Sequence, residues 1–168
     1  VHLNAIHLYP TDSIDAEERA FRSGQLHATY SLPLSKVLPA QREHNPALRL
    51  DRNMETYFFR LNVRKAPLGD ARVRRALSLA VDRDTIANKI LPGGRTPAPT
   101  FVPPLLKGYT PPAGQVYNLA AARQLLADAG HPNGAGLPPI EILYNNSEIL
   151  RLVAEAIQQM WHRDLGVD

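Results

Sequence analysis

Six histidines, two pairs of close carboxylates and one dense group of arginines are the residues of this 168-residue chain whose types could do chemistry. The histidines, at positions 2, 7, 27, 44, 131 and 162, show no i, i+4 pairing and no His-Glu-x-x-His helix, the spacing that puts two imidazoles on one helical face for zinc. His2 and His7 are an odd number of residues apart, so a strand would send them to opposite faces. Glu17-Glu18 and Asp82/Asp84 lie near expected helix starts, where acids complement the positive end of the helix dipole. No Gly-x-Ser-x-Gly elbow and no glycine-rich phosphate loop ending in Lys-Ser/Thr is present. The chain has no cysteine, which excludes disulfides, zinc-thiolate sites and thiol nucleophiles. The expectation is a protein that is not an enzyme, with no metal site and no cofactor.

The arginines are the stronger signal. Arg60, Arg64, Lys65, Arg72, Arg74 and Arg75 fall within sixteen residues, opposed only by Asp70, and the formal charge of the whole chain is +3. A basic patch beside Tyr57, Phe58 and Phe59 could attract phosphates and stack on bases, which defines a nucleic-acid interaction module as one reading. The other reading is structural. Asp70 can cap a helix, and Val73, Leu77, Ala80 and Val81 recur at i, i+4, i+7 and i+8 as one buried stripe. Arginines around that stripe can pair with Asp70, Asp82 and neighbouring acids and orient the helix.

The elements that must position these residues alternate between strand and helix patterns. Strands are expected at 3–9, 27–32, 48–50, 55–63 and 140–144. Helices are expected from Asp12 or Ser13 to Arg22, stopped by Gly24, and from Leu34 to about Glu43, strained by Pro39. Others are expected from Asp70 to Arg83, from an Asp82 or Asp84 start through Ile86 to Leu91, from the Asn118 cap to Ala129 before Gly130, and from Ser147 to about Arg163. Residues 92–114 hold seven of the fifteen prolines yet carry Phe101, Val102, Leu105, Leu106 and Tyr109. That composition predicts an ordered surface strap within a single domain spanning 1–168. No apolar run approaches the ~20 residues that a membrane span requires.

Several of these segments match one family pattern. An aromatic strand with an Asn (Tyr57 to Asn62) precedes a Pro-Leu-x-Asp-x-Arg-Val-Arg-x-Ala-Leu helix ending in Asp-Arg, here Pro67, Leu68, Asp70, Arg72 to Leu77, and Asp82-Arg83. Arg22-Ser23-Gly24-Gln25-Leu26 forms an Arg-x-Gly-x-Leu corner, and Ala121 to Gly130 forms an alanine-rich helix ending in Ala-Gly. Leu143-Tyr144-Asn145 leads to a last helix with Trp161 and Leu165-Gly166-Val167. Together these positions resemble the extracytoplasmic solute-binding proteins of the peptide/nickel importer family, and within it the oligopeptide binders, over nearly the whole chain.

That resemblance implies an α/β fold: a mixed sheet flanked by helices, part of one lobe of a two-lobed periplasmic-binding-protein-like fold. It implies a substrate-binding component of an ABC importer that captures oligopeptides between lobes and hands them to the membrane permease. The implied partners are an oligopeptide, the permease subunits and the rest of its own two-lobed protein, with no nucleic acid. The implied location is periplasmic, with a signal peptide outside this chain, because Val1-His2-Leu3-Asn4 lacks a basic start and an apolar core. The same fold binding a dipeptide, nickel complex, sugar or opine remains open.

Ligand contacts are expected in the short polar stretch at the end of the 140–144 strand, Leu143-Tyr144-Asn145-Asn146-Ser147-Glu148: Asn145, matching a cleft-facing Asn of the oligopeptide binders, with Asn146 and Ser147. Tyr9, closing Leu8-Tyr9-Pro10, resembles a second cleft residue. Where some relatives place a His that holds the peptide C-terminus, this chain has Leu150. The acidic partner of the peptide amino group and the opposing lobe are expected outside residues 1–168, so the isolated chain is expected to bind peptides weakly or not at all.

Overall fold

Three helices close in the same way, and the residue at the closing position differs in only one. The computed structural model describes residues 2–51, 53–91, 93–103 and 106–168 and divides the chain into two compact units, Val1–Arg49 and Leu50–Asp168. In the first unit, α1 (Ile14–Arg22) starts at Ser13, whose hydroxyl accepts the Ala16 N–H at 3.2 Å. It ends with the Gln25 N–H on the Ala20 carbonyl and the Gly24 N–H on the Phe21 carbonyl, with Gly24 at φ +77°. In the second unit, α5 (Leu119–Asp128) ends alike at Gly130, φ +90°. The helix α2 (Leu34–Arg42), which contains Pro39, repeats these bonds through Asn45 and His44, so His44 carries the left-handed φ of +50°. A side chain there pays a steric cost that glycine avoids.

Glu18 ties the two helices of the first unit together. It is only 5% exposed, and its carboxylate meets Lys36 Nζ on α2 at 2.6 Å and Arg22 Nε on α1 at 2.8 Å. The Lys36 hydrogen bond is the main reason its pKa lies below the ordinary carboxylate value.

In the second unit, α3 (Ala71–Leu79) buries the expected stripe, with Val73 and Leu77 at 1% exposure and Ala80 at 0%. It packs against α5, whose Ala122 and Leu126 are fully buried; α5 also contacts α6 (Glu148–Leu165), which buries Val153, Ile157, Met160, Trp161 and Leu165 and bonds back to α3 through Trp161. Asp82 caps the short α4 (Arg83–Thr85), which runs directly into a π-helical turn, Ile86–Ile90, where an ordinary short helix is expected. A 3₁₀ turn, Pro132–Gly134, follows α5. Arg123 Nε reaches the Asp164 carbonyl at 2.8 Å and pins α5 to the end of α6. In the proline-rich stretch, Phe101 stacks edge-to-face on Phe58 at 4.8 Å and the Gln115 N–H donates to the Pro99 carbonyl at 3.0 Å. Pro92, Pro104 and Leu105 of that stretch lie outside the described residues.

The mixed sheet is not there. Among the described residues no strand forms, which corrects the α/β expectation of a sheet flanked by helices. The segments 3–9, 27–32, 48–50, 55–63 and 140–144 carry strand-like side chains but no ladder, and Leu3, Leu8 and Leu143 stand 74%, 87% and 96% exposed. The reason is physical: a strand exists only when a neighbour takes its N–H and C=O groups in register, and alternation in sequence names no neighbour. The segment at 140–144 does gain one backbone bond, from the Ile140 N–H to the Asp168 carbonyl at 2.7 Å.

Two outcomes follow from these contacts. Replacing His44 by Gly raises the stability of the first unit by up to about 1 kcal/mol, the left-handed strain relieved less the added chain entropy of glycine; a thermal unfolding midpoint that does not rise would count against the strain. Trp161 is buried and its Nε1 donates to the Leu77 carbonyl at 2.9 Å. The variant Trp161→Phe therefore leaves a buried acceptor unmet and lowers unfolding free energy by about 1–3 kcal/mol in a urea titration.

Candidate functional site

The 18-residue α6 begins where the polar stretch ends, and its first turn shapes the candidate site. Ser147 occupies the N-cap position with extended backbone (φ −148°, ψ 130°), and its carbonyl accepts the Arg151 N–H at 3.0 Å. Its hydroxyl makes no capping bond, unlike the side chains of Ser13, Asp70 and Asn118 at the starts of α1, α3 and α5. The hydroxyl is left for another partner.

Around it lies a shallow concavity of about 350 Å³ lined by Tyr144, Asn146, Ser147, Glu148 and Arg151. Of the expected contact residues, Asn146 and Ser147 form part of this wall, and Asn145 is exposed just before them in the chain. Tyr9 belongs to the other compact unit and is 68% exposed. Tyr144 and Glu148 belong to the same expected polar stretch, and Arg151 lies beyond it. The signal for Arg151 is its place one turn after Ser147, the i, i+4 spacing that brings two side chains to one helical face.

The electrostatics of the wall are mixed. Arg151 Nη1 holds Glu155 Oε1 at 2.8 Å with both side chains about half exposed, and that hydrogen bond is the first reason the Arg151 pKa is raised. So exposed a pair holds its partners loosely. The concavity offers amide, hydroxyl, phenol, carboxylate and guanidinium groups, a set suited to meeting the N–H and C=O groups of an extended ligand. Behind it, Ile140, Ile142, Tyr144, Ala154, Trp161 and Val167 contribute to a second groove of about 190 Å³.

Several of the other chemistry-bearing residues have partners of their own. Glu17 accepts the Tyr30 N–H, Glu18 holds Lys36 and Arg22, and Asp82 caps α4 through the Thr85 N–H and hydroxyl. His131 Nδ1 lies 3.0 Å from the Ala135 carbonyl and His162 Nδ1 lies 2.7 Å from Asp168 Oδ1. No group of three or more His, Cys, Asp or Glu residues able to hold a metal ion occurs among the described residues.

Much of the arginine-rich segment is tied into backbone. Arg72 grips Asp70 Oδ2 at 2.6 Å and reaches the Asp128 carbonyl on α5 at 2.6 Å. Arg74 donates to the Leu68 and Gly69 carbonyls at 2.8 and 2.9 Å, and Arg83 to the Ser78 and Val81 carbonyls at 3.0 and 3.2 Å. Lys65 pairs with Glu141 at 3.0 Å, while Arg60, Arg64 and Arg75 stand exposed.

The second unit is thus a helical scaffold whose arginine-rich segment holds backbone carbonyls and whose longest helix opens on a polar turn. Residues 1–168 match the family of bacterial extracellular solute-binding proteins, family 5 Middle, and the chain belongs to that family. It is 32% identical to the periplasmic oligopeptide-binding protein OppA of Salmonella typhimurium over 99% of this chain and 32% of that protein. Among solved structures, it is similar to the Escherichia coli murein tripeptide binding protein MppA, with a TM-score of 0.81, 32% identity, and coverage of 91% of this chain and 31% of that one. It is also similar to Haemophilus influenzae OppA solved in complex with RPPGFSPFR, with a TM-score of 0.75, 29% identity, and coverage of 90% and 31%. The chain thus spans about a third of the length of the proteins it matches. The family is a solute-binding one. No helix among the described residues is long and apolar enough to cross a membrane.

The cap of α3 gives a pH test. The Arg72 side chain, and then the Arg72 N–H at 2.7 Å, pull the Asp70 carboxyl down to about 2. The folded value lies below that of an unfolded Asp near ~4, so the cap's contribution to stability is present above that pH and is lost as pH falls through about 2. A carboxyl NMR titration of Asp70 in the folded protein should show this midpoint, and Arg72→Ala should move it up toward ~4; an unmoved midpoint would refute the assignment.

Proposed function

We propose that this chain is part of the substrate-binding component of an ABC importer, a periplasmic protein that captures oligopeptides between two lobes and delivers them to permease subunits. The observation that carries the reading is the shared fold with Haemophilus influenzae OppA, solved with the peptide RPPGFSPFR. The likeness to the Salmonella oligopeptide-binding protein across nearly the whole of this chain supports the same ligand class. Capture is non-covalent: backbone groups of an extended peptide exchange water for protein partners, and lobe closure retains the ligand. No catalytic step is assigned. In this reading Tyr9, Asn145, Asn146 and Ser147 contact the peptide, and residues 92–114 act as a strap that is part of the scaffold. The exposed amides and the uncapped Ser147 hydroxyl support those contacts.

Calorimetry on the intact two-lobed protein with a pool of di- to penta-peptides should show saturable binding. The variant Asn145→Ala should weaken it about tenfold, or ~1.4 kcal/mol, while leaving the unliganded melting temperature unchanged. Absence of heat with every peptide would sink the ligand class, whereas an unaltered affinity in the variant would sink only the residue assignment.

The arginine segment allows a second check. With Arg72, Arg74 and Arg83 tied to local partners, no gel shift of duplex DNA is expected at low salt. A shift that fades steeply as salt rises would instead support the basic nucleic-acid module.

A further inference from the structure

We draw no further inference here: the strongest candidate, the concavity at the start of α6 lined by Tyr144, Asn146, Ser147, Glu148 and Arg151, belongs to the site already described and holds no deeply buried, unpartnered polar group that would single out a ligand of its own.

Discussion

The last carbonyls of α3 are the constraint on which the second unit depends. A helix leaves its final C=O groups without intrahelical partners, and burying them unmet would be costly. Here each is taken by a different part of the chain. The Ala80 N–H closes on Ala76, Trp161 from α6 takes Leu77, Arg83 takes Ser78, and the Asn118 N–H takes Leu79. Asn118 is also the residue whose side chain caps α5. A single helix end therefore fixes where α5 begins, how α6 lies across it and how the chain turns toward α4. The Asp82 N–H, directed at Met160 Sδ at 3.4 Å, adds a further tie to α6 in the same place.

That arrangement gives the arginine-rich segment its place in the fold. Arg83 closes the end of α3, while Arg72 and Asp70 secure its start and Arg74 holds the turn that precedes it. The guanidinium group suits this work because its fork can meet two acceptors at once and its charge strengthens each bond. Charge read along the sequence suggested a phosphate-seeking patch. Charge read in space is partly consumed by carbonyls and by the Asp70 and Glu141 carboxylates, while Arg60, Arg64 and Arg75 are exposed outside those contacts.

What the sequence could reveal follows the range of the interaction. Caps and stripes are local: Ser13, Asp70 and Asn118 bond groups two or three residues away, and Val73, Leu77 and Ala80 share a face by helical period alone. All were legible. The Trp161–Leu77 bond joins residues 84 apart and leaves no mark in either neighbourhood. The π-turn at Ile86–Ile90 has the sequence pattern of an ordinary helix, because its apolar residues suit either form. The sheet failed for the same reason at larger scale, since strand propensity at 55–63 or 140–144 describes a segment's willingness to pair and says nothing of a partner. The family resemblance implies the same mixed sheet, and the described residues do not form it.

The candidate site shows the opposite case, where a local rule fails informatively. Ser147 sits where a helix-capping serine belongs, and the pattern alone assigns its hydroxyl to the first turn of α6. In the structure that bond is absent, though the backbone has the extended conformation of an N-cap. A position that forgoes an available stabilising bond keeps a polar group free at the wall of a concavity, beside the Asn146 amide. Such departures concentrate where a surface serves binding, because an acceptor lone pair already given to its own helix is not offered to a ligand. The contrast with Asp70 makes the argument concrete. Its carboxylate is fully engaged by Arg72 and stabilises α3, whereas Ser147 begins the longest helix with its hydroxyl outside that helix's hydrogen bonding.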